Sequence, residues 1–228
     1  MADKDKEKQL AAAAAVKFIK DGDIVGLGTG STAYYATKAI AELVAEGLQI
    51  RAVPTSEKTR QLAMSLQIPL IEIETVSAID ITIDGADEFT EQLQLIKGGG
   101  GALTREKIVA SLTKREIIIA DASKKVDQLG KFNIPVAIVP FATQYVLQQL
   151  RLINGVGLLR KKDDLAYITD DGNHIIDVDF GLVADPVSLA TTLDKIEGVV
   201  THGLFINLTQ MIIMGKDEGT LIFERVNR

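Results

Sequence analysis

Residues 84–107, DGADEFTEQLQLIKGGGGALTREK, concentrate side chains that chemistry uses and that protein cores avoid. Asp84 and Asp87 come first, then Lys97, then the consecutive glycines Gly98, Gly99, Gly100 and Gly101, then Glu106. A glycine run costs conformational entropy on folding. In return its backbone can approach a ligand closely and present N–H groups to an oxyanion. Lys97 adds a fixed positive charge beside that cradle. Glu106, just beyond it, is ionised at neutral pH if its pKa stays near the free value of about 4.3, and can then accept a proton. These residues together suit a site that binds a polyhydroxylated anion and moves a proton on it. Each piece also has a plainer reading. The glycines could be a flexible loop, the aspartates an Asx-type turn, and Glu106 a helix cap or dipole partner. If functional, Asp84 and Asp87 fit two roles, binding sugar hydroxyls or jointly holding Mg²⁺.

A second glycine segment, Gly26-Leu27-Gly28-Thr29-Gly30-Ser31-Thr32, lies where an apolar strand meets a helix N-terminus. Exposed amides and the positive end of the helix dipole attract phosphate there, and the hydroxyls add donors. It does not fit a dinucleotide fingerprint, because its last glycine position is Ser31. The second strand also ends in Val53-Pro54-Thr55, without the acidic residue that would hold a ribose. No Gly-Lys-Ser/Thr follows, so it is not a P-loop. The only histidines are His174 and His202, and cysteine is absent. Thiolate metal sites, disulfides, a cysteine nucleophile and a histidine-based triad are thereby excluded.

Positioning these groups requires a scaffold, and the apolar pattern supplies one. The chain has 228 residues, 46% of them hydrophobic and only 5% aromatic, which suits one medium α/β unit with an aliphatic core. Strand signals at 24–28, 50–53, 70–73, 78–83 and 116–120 alternate with helical stretches near 33–45, 56–66 and 102–112. That rhythm predicts a mostly parallel sheet with right-handed crossovers, a Rossmann-like arrangement. From residue 134 the order changes to β-α-β-β-α-β: a strand at 134–140, a helix at 141–152, two short strands flanking the turn at 170–173, and a helix at 186–196. This predicts a small α+β, split-βαβ or ferredoxin-like unit. The tail at 211–214 and 220–223 is expected to return to the first sheet. The expected division is 1–128 with 204–228 as one domain and 129–203 as the other.

The net charge of −6 argues against a nucleic-acid surface. Apolar runs are too short to span a bilayer, and the N-terminus reads as an alanine-rich helix, not a signal peptide. A cytoplasmic location is the expectation.

Taken in order, these segments resemble type A ribose-5-phosphate isomerase. The resemblance rests on GLGTGST (26–32), IDGADE (83–88), IKGGG (96–100), LTREK (103–107), IADASK (119–124), LGKF (129–132) and GVVTHGLF (198–205), and spans nearly the whole chain. It implies interconversion of D-ribose 5-phosphate and D-ribulose 5-phosphate through an enediolate, without cofactor or metal, in homodimers or homotetramers. It assigns Glu106 as the base, Lys97 to the enediolate oxygen, Asp84 to ring opening or proton traffic, and Asp87 to hydroxyls. Thr29, Gly30, Ser31, Thr32, Gly85, Ala86, Gly98, Gly99, Gly100 and Lys124 become substrate contacts. The departures are Gly101 and Leu103, which stand where an alanine pair is more usual around this loop. Two rival classes are a coenzyme A transferase or amino-sugar-phosphate deaminase, and a non-catalytic sugar-phosphate sensor. In the transferase, Glu106 would be a nucleophile. A sensor would need a DNA-binding segment, which the sequence lacks.

Overall fold

The structure, a computed structural model, describes residues 3–225. Helix α1 (Lys4–Ala15) starts on Asp3, whose carboxylate accepts from the Asp5 and Lys6 N–H groups. Its alanines allow a close approach to the sheet, and Ala11, Ala12 and Ala15 are buried. Strand β1 (Ile24–Leu27), helix α2 (Ser31–Ala45), strand β2 (Arg51–Pro54), helix α3 (Glu57–Ser65) and strand β3 (Ile79–Gly85) follow in alternation. Two short strands, β4 (Glu88–Phe89) and β5 (Leu95–Ile96), precede helix α4 (Leu103–Leu112) and the long strand β6 (Thr113–Asp121).

The small unit comprises β7 (Ile134–Ile138), α5 (Thr143–Leu152), β8 (Val156–Leu159), the ribbon β9 (Lys161–Lys162) and β10 (Leu165–Ala166), β11 (His174–Asp179), α6 (Pro186–Leu193) and β12 (Val199–His202). The chain then passes through β13 (Leu204–Phe205) into β14 (Met211–Lys216) and β15 (Gly219–Glu224). The main sheet has the order β15-β14-β6-β3-β1-β2, parallel throughout except for β15. The small sheet, β12-β7-β11-β8, is antiparallel, which gives the split-βαβ order expected. A third sheet, β13-β5-β4, has no counterpart in the sequence reading, because strands of two residues carry no periodicity.

Central strands are apolar on both faces, as a covered parallel sheet demands. In β6, Ile117 and Ile119 pack beneath α1 and α2, while Ile118 and Ala120 meet Phe89 and Phe205 on the other side. On the small sheet, Val136, Ile176 and Val178 pack with Val146 and Leu150 of α5. Ala137 and Ile175 face the opposite way and contact Leu103, the first residue of α4. The small sheet thus rests on the start of the helix that carries Glu106. No described helix is long and apolar enough to cross a membrane.

One expected strand is absent. Residues 70–73 make only a single bridge, Ala52 to Leu70, before a 3₁₀ turn at Ile73–Thr75. The Ala52 N–H donates to the Pro69 carbonyl and the Ile71 N–H to the Ala52 carbonyl, but the next donor on that edge of β2 would be Pro54, which has no N–H. The strand expected before the 170–173 turn is likewise reduced to one bridge, Ile168 to His174.

Two glycines of β1 and its following turn make room for polar side chains of β3. A Cβ on Gly26 would lie 2.0 Å from Thr82 Oγ1, and one on Gly28 would lie 2.2 Å from Asp84 Oδ1. Gly28→Ala therefore forces Asp84 and the turn apart. We expect it to lower the unfolding free energy by about 1–3 kcal/mol, the usual penalty of overpacking, measured by denaturant titration.

Candidate active site

Asp84 stands at the carboxyl end of β3, where parallel sheets present ligands and reactive groups. Its Oδ1 accepts from the N–H groups of Thr29 (3.0 Å) and Gly85 (2.7 Å). Its Oδ2 lies 3.0 Å from Lys97 Nζ. Lys97 follows β5, and its backbone N–H donates to the Gly203 carbonyl at 2.9 Å. Its ammonium also donates to the Gly85 carbonyl and lies 3.3 Å from Glu106 Oε1. Glu106 comes from the first turn of α4. It caps nothing; its side chain turns to Lys97 instead, which sets aside the capping reading. All three groups are at most 5% exposed.

This cluster holds one cation against two carboxylates. Burial works against the Lys97 ammonium, but the charges of Asp84 and Glu106 outweigh it and raise the pKa. Glu106 moves up to about 8, chiefly through burial; Lys97 pulls it back and Asp84 pushes it further. Its Oε2 is buried without a hydrogen-bond partner. Glu116 of β6 is also buried, and burial followed by the Asp84 charge lifts its pKa well above the carboxylate range.

The glycine run forms a tight turn in which the Gly101 N–H donates to the Gly98 carbonyl at 3.0 Å. Gly98 takes φ of 101° and Gly101 of 83°, conformations that favour glycine. The Gly99 N–H donates to Asp87 Oδ2 at 2.7 Å, and a Cβ on Gly99 would sit 2.6 Å from that carboxylate. Asp84 and Asp87 thus bind different partners and do not form a joint pair. The Thr29 hydroxyl is held within 2.8 Å of Thr55 Oγ1 and Ser56 Oγ and 3.1 Å of Thr59 Oγ1.

These elements enclose a polar cavity of about 80 Å³. Thr29, Gly30, Ser31 and Thr32 line one side, and Gly85, Ala86 and Asp87 another. Lys97, Gly98, Gly100 and Glu106 complete it, with Lys124 at the end of a 3₁₀ turn that follows β6. Of the residues expected at the site, Asp84 is buried behind Lys97, and Gly99 faces a neighbouring depression with Arg160. Roomier depressions of about 370–440 Å³ also mark the surface, and one of them adjoins this cavity, sharing Thr29, Gly30 and Ser31. In the one beside Arg105, that arginine is paired with Glu57 and Asp171, and Arg60 with Glu72. The smaller cavity alone brings a buried lysine to an unpartnered carboxylate oxygen.

Other supporting residues had no role assigned from the sequence, although Lys107 and His202 lie within LTREK and GVVTHGLF. Lys107, whose pKa burial lowers to about 8, donates to the carbonyls of His202 and of Leu204 (3.0 Å). It thereby fixes the segment whose Gly203 carbonyl holds Lys97. His202 is kept neutral, at a pKa of about 3, by burial and by Lys107. Its 3.2 Å contact with Asp194 is therefore no ion pair. Arg160 reaches the glycine turn from the small sheet, donating to the carbonyls of Gly98 (3.0 Å) and Gly99 (3.2 Å). Sixty residues of intervening chain hide that contact from any local pattern.

Comparison with known proteins bears on this arrangement. Residues 51–219 match the family model described as ribose 5-phosphate isomerase A (phosphoriboisomerase A). The ribose-5-phosphate isomerase A of Bacillus mycoides is 48% identical over 213 residues, covering 93% of this chain and 96% of its own. That of Sphingopyxis alaskensis is 46% identical over 212 residues, 93% of either chain. A solved D-ribose-5-phosphate isomerase in complex with phospho-erythronic acid superposes with a TM-score of 0.95 at 38% identity, covering 98% of this chain and 100% of that one. With matches of this extent, the chain belongs to the ribose 5-phosphate isomerase A family.

Proposed function

We propose that Glu106 moves the proton in the reaction of this family, the aldose–ketose interconversion of D-ribose 5-phosphate and D-ribulose 5-phosphate. One observation carries the assignment: Glu106 Oε2 is buried, lacks a partner, and belongs to a residue lining the cavity beside the Lys97 ammonium. In the open-chain aldose, Glu106 takes the proton from C2 as the C1 carbonyl electrons move onto oxygen. The resulting cis-enediolate is stabilised by Lys97 and by glycine-turn N–H groups. Glu106 then returns the proton to C1 and the electrons settle as the C2 carbonyl. Asp84 keeps Lys97 charged and in place, and the pair serves ring opening and proton traffic between the sugar oxygens. Asp87, anchored to Gly99, receives hydroxyls. Thr29, Gly30, Ser31, Thr32, Gly85, Ala86, Gly98, Gly99, Gly100 and Lys124 hold the remainder of the sugar phosphate, with the Thr29–Thr32 turn at a helix N-terminus and Lys124 suited to the phosphate.

The reading extends to organisation. Residues 1–128 with 204–228 form the catalytic domain, and 129–203 the small domain that buttresses it. The molecule is cytoplasmic and assembles as a homodimer or homotetramer. Exposed Val156 and Leu158 on β8, the edge strand of the small sheet, support self-association. Light scattering should give a mass of two or four chains; a monomer at micromolar concentration removes this part.

Ribose 5-phosphate incubated with the protein in D₂O should yield ribulose 5-phosphate carrying deuterium, followed by NMR. Glu106→Gln should keep the fold and substrate binding but lose about 10²–10⁴-fold in kcat, the usual worth of a positioned base. Near wild-type turnover in that variant would show that another group is the base. Because the raised pKa belongs to the base, kcat/KM should rise with pH along a limb above the ordinary glutamate range, approaching 8. A limb near 4.5 would place a solvated carboxylate in that role.

A further inference from the structure

We infer that Arg160 and Asp177, both on the small sheet's side of the glycine turn, are positioning residues that aim the turn's N–H groups at the developing oxyanion. The inference rests on the roles of Glu106 and Lys97 given above and adds residues that those roles do not require.

Three consecutive carbonyls of the turn point to the small unit. Arg160 Nη1 donates to the Gly98 carbonyl at 3.0 Å and the Gly99 carbonyl at 3.2 Å. The Tyr167 hydroxyl lies 3.5 Å from the Gly100 carbonyl, at the outer limit of a hydrogen bond. A trans peptide sets its N–H opposite its C=O, so holding a carbonyl outward turns the next residue's N–H inward. The consequences can be followed one residue at a time. With the Gly98 carbonyl on Arg160, the Gly99 N–H turns to Asp87, where it is found at 2.7 Å. With the Gly100 carbonyl toward Tyr167, the Gly101 N–H turns back to Gly98, closing the turn. With the Gly99 carbonyl on Arg160, the Gly100 N–H turns away from the small sheet. That N–H has no partner among the described residues, and Gly100 lines the cavity. It is the donor the turn holds in reserve for substrate.

Arg160 can play this part because it is itself held. Its Nε donates to Asp177 Oδ2 at 2.8 Å, and its Nη2 pairs with Asp177 Oδ1. This two-point carboxylate grip fixes the guanidinium plane while leaving Nη1 for the turn. The guanidinium also lies 5.9 Å from the Tyr167 ring centre. A lysine could not make the same set of contacts, since its ammonium is a point charge without a fixed fork. Glycines without side chains have little else to hold their peptide planes, so the restraint has to come from outside the turn.

The experiment compares wild type with Arg160→Lys and Asp177→Asn. It measures kcat, KM for ribose 5-phosphate, inhibition by phospho-erythronic acid and thermal unfolding. That acid, bound in the solved relative, carries a carboxylate that can present an anion to these N–H groups. In Arg160→Lys, kcat should fall by about tenfold or more and the inhibition constant rise in parallel, with KM within about twofold and the unfolding temperature unchanged. Asp177→Asn leaves the arginine donors in place but loosens their anchor, and should give a smaller change, about threefold, in the same two quantities. If Arg160→Lys does not fold, Asp177→Asn carries the test alone. Unchanged kcat and inhibition in a folded variant overturn the inference, as does a loss explained wholly by unfolding. Wild-type turnover and its loss in Glu106→Gln report separately on the roles of Glu106 and Lys97.

Discussion

The ammonium of Lys97 is almost fully removed from water, and most of the surrounding architecture can be understood as the means of keeping it charged there. An isolated buried cation would shed its proton. Here Asp84 supplies an opposite charge at 3.0 Å, and the Gly85 carbonyl accepts a hydrogen bond. Asp84 in turn is satisfied by the amides of Thr29 and Gly85, which is possible only because Gly28 leaves its oxygen room. Once that pair is complete, Glu106 is a second carboxylate beside a cation that is already neutralised. Its pKa rises for that reason as well as from burial. The two acids therefore differ in environment: Asp84 is rich in hydrogen bonds, whereas Glu106 keeps one buried oxygen without a partner.

The same constraint explains the use of glycine. Two backbone segments have to approach polar side chains more closely than a Cβ permits: β1 and its turn against Thr82 and Asp84, and the loop after Lys97 against Asp87. Neither approach resembles the tight helix packing or dinucleotide binding that glycine patterns elsewhere signal. Here the missing side chains bring amides next to carboxylates. What is lost is rigidity, and rigidity returns through the small sheet. Leu103 packs on Ala137 and Ile175, Gly203 donates to Pro135, and Arg160 reaches the turn itself. The small unit contributes none of the residues proposed to carry the chemistry, yet it braces the loop that holds several of them.

Much of this was legible in the sequence, for identifiable reasons. The alternation of strands and helices was visible because buried parallel strands leave uninterrupted runs such as residues 116–120. The return of β14 and β15 to the main sheet showed as two apolar runs. The site residues stood out because acids, a lysine and a glycine run have no purpose in a core. Residues 70–73 misled because their apolar content suggested a ladder that Pro54 of β2 cuts short. The sheet β13-β5-β4 escaped notice because its strands are two residues long. Arg160 and Asp177 lie outside every motif quoted from the sequence, and Lys107 entered only as the last residue of LTREK, with no role of its own. Their partners are carbonyls and residues brought near only by folding, which no spacing rule reports.

The position of Glu106 on its helix resolves an apparent conflict in its electrostatics. A base in a dry cavity needs a raised pKa to bind the proton it takes, yet it has to be ionised often enough to start. Burial raises the pKa, as it does for Glu116, where the charges of Asp84 and Glu106 push the same way and Lys97 pulls back. Glu106 differs in two respects: Lys97 lies 3.3 Å away, and the residue occupies the first turn of α4, where the helix dipole favours negative charge. Lys97 pulls the pKa down against burial and the charges of Asp84 and Asp87. Opposed in this way, these influences leave it at about 8, the range that the proposed proton relay calls for.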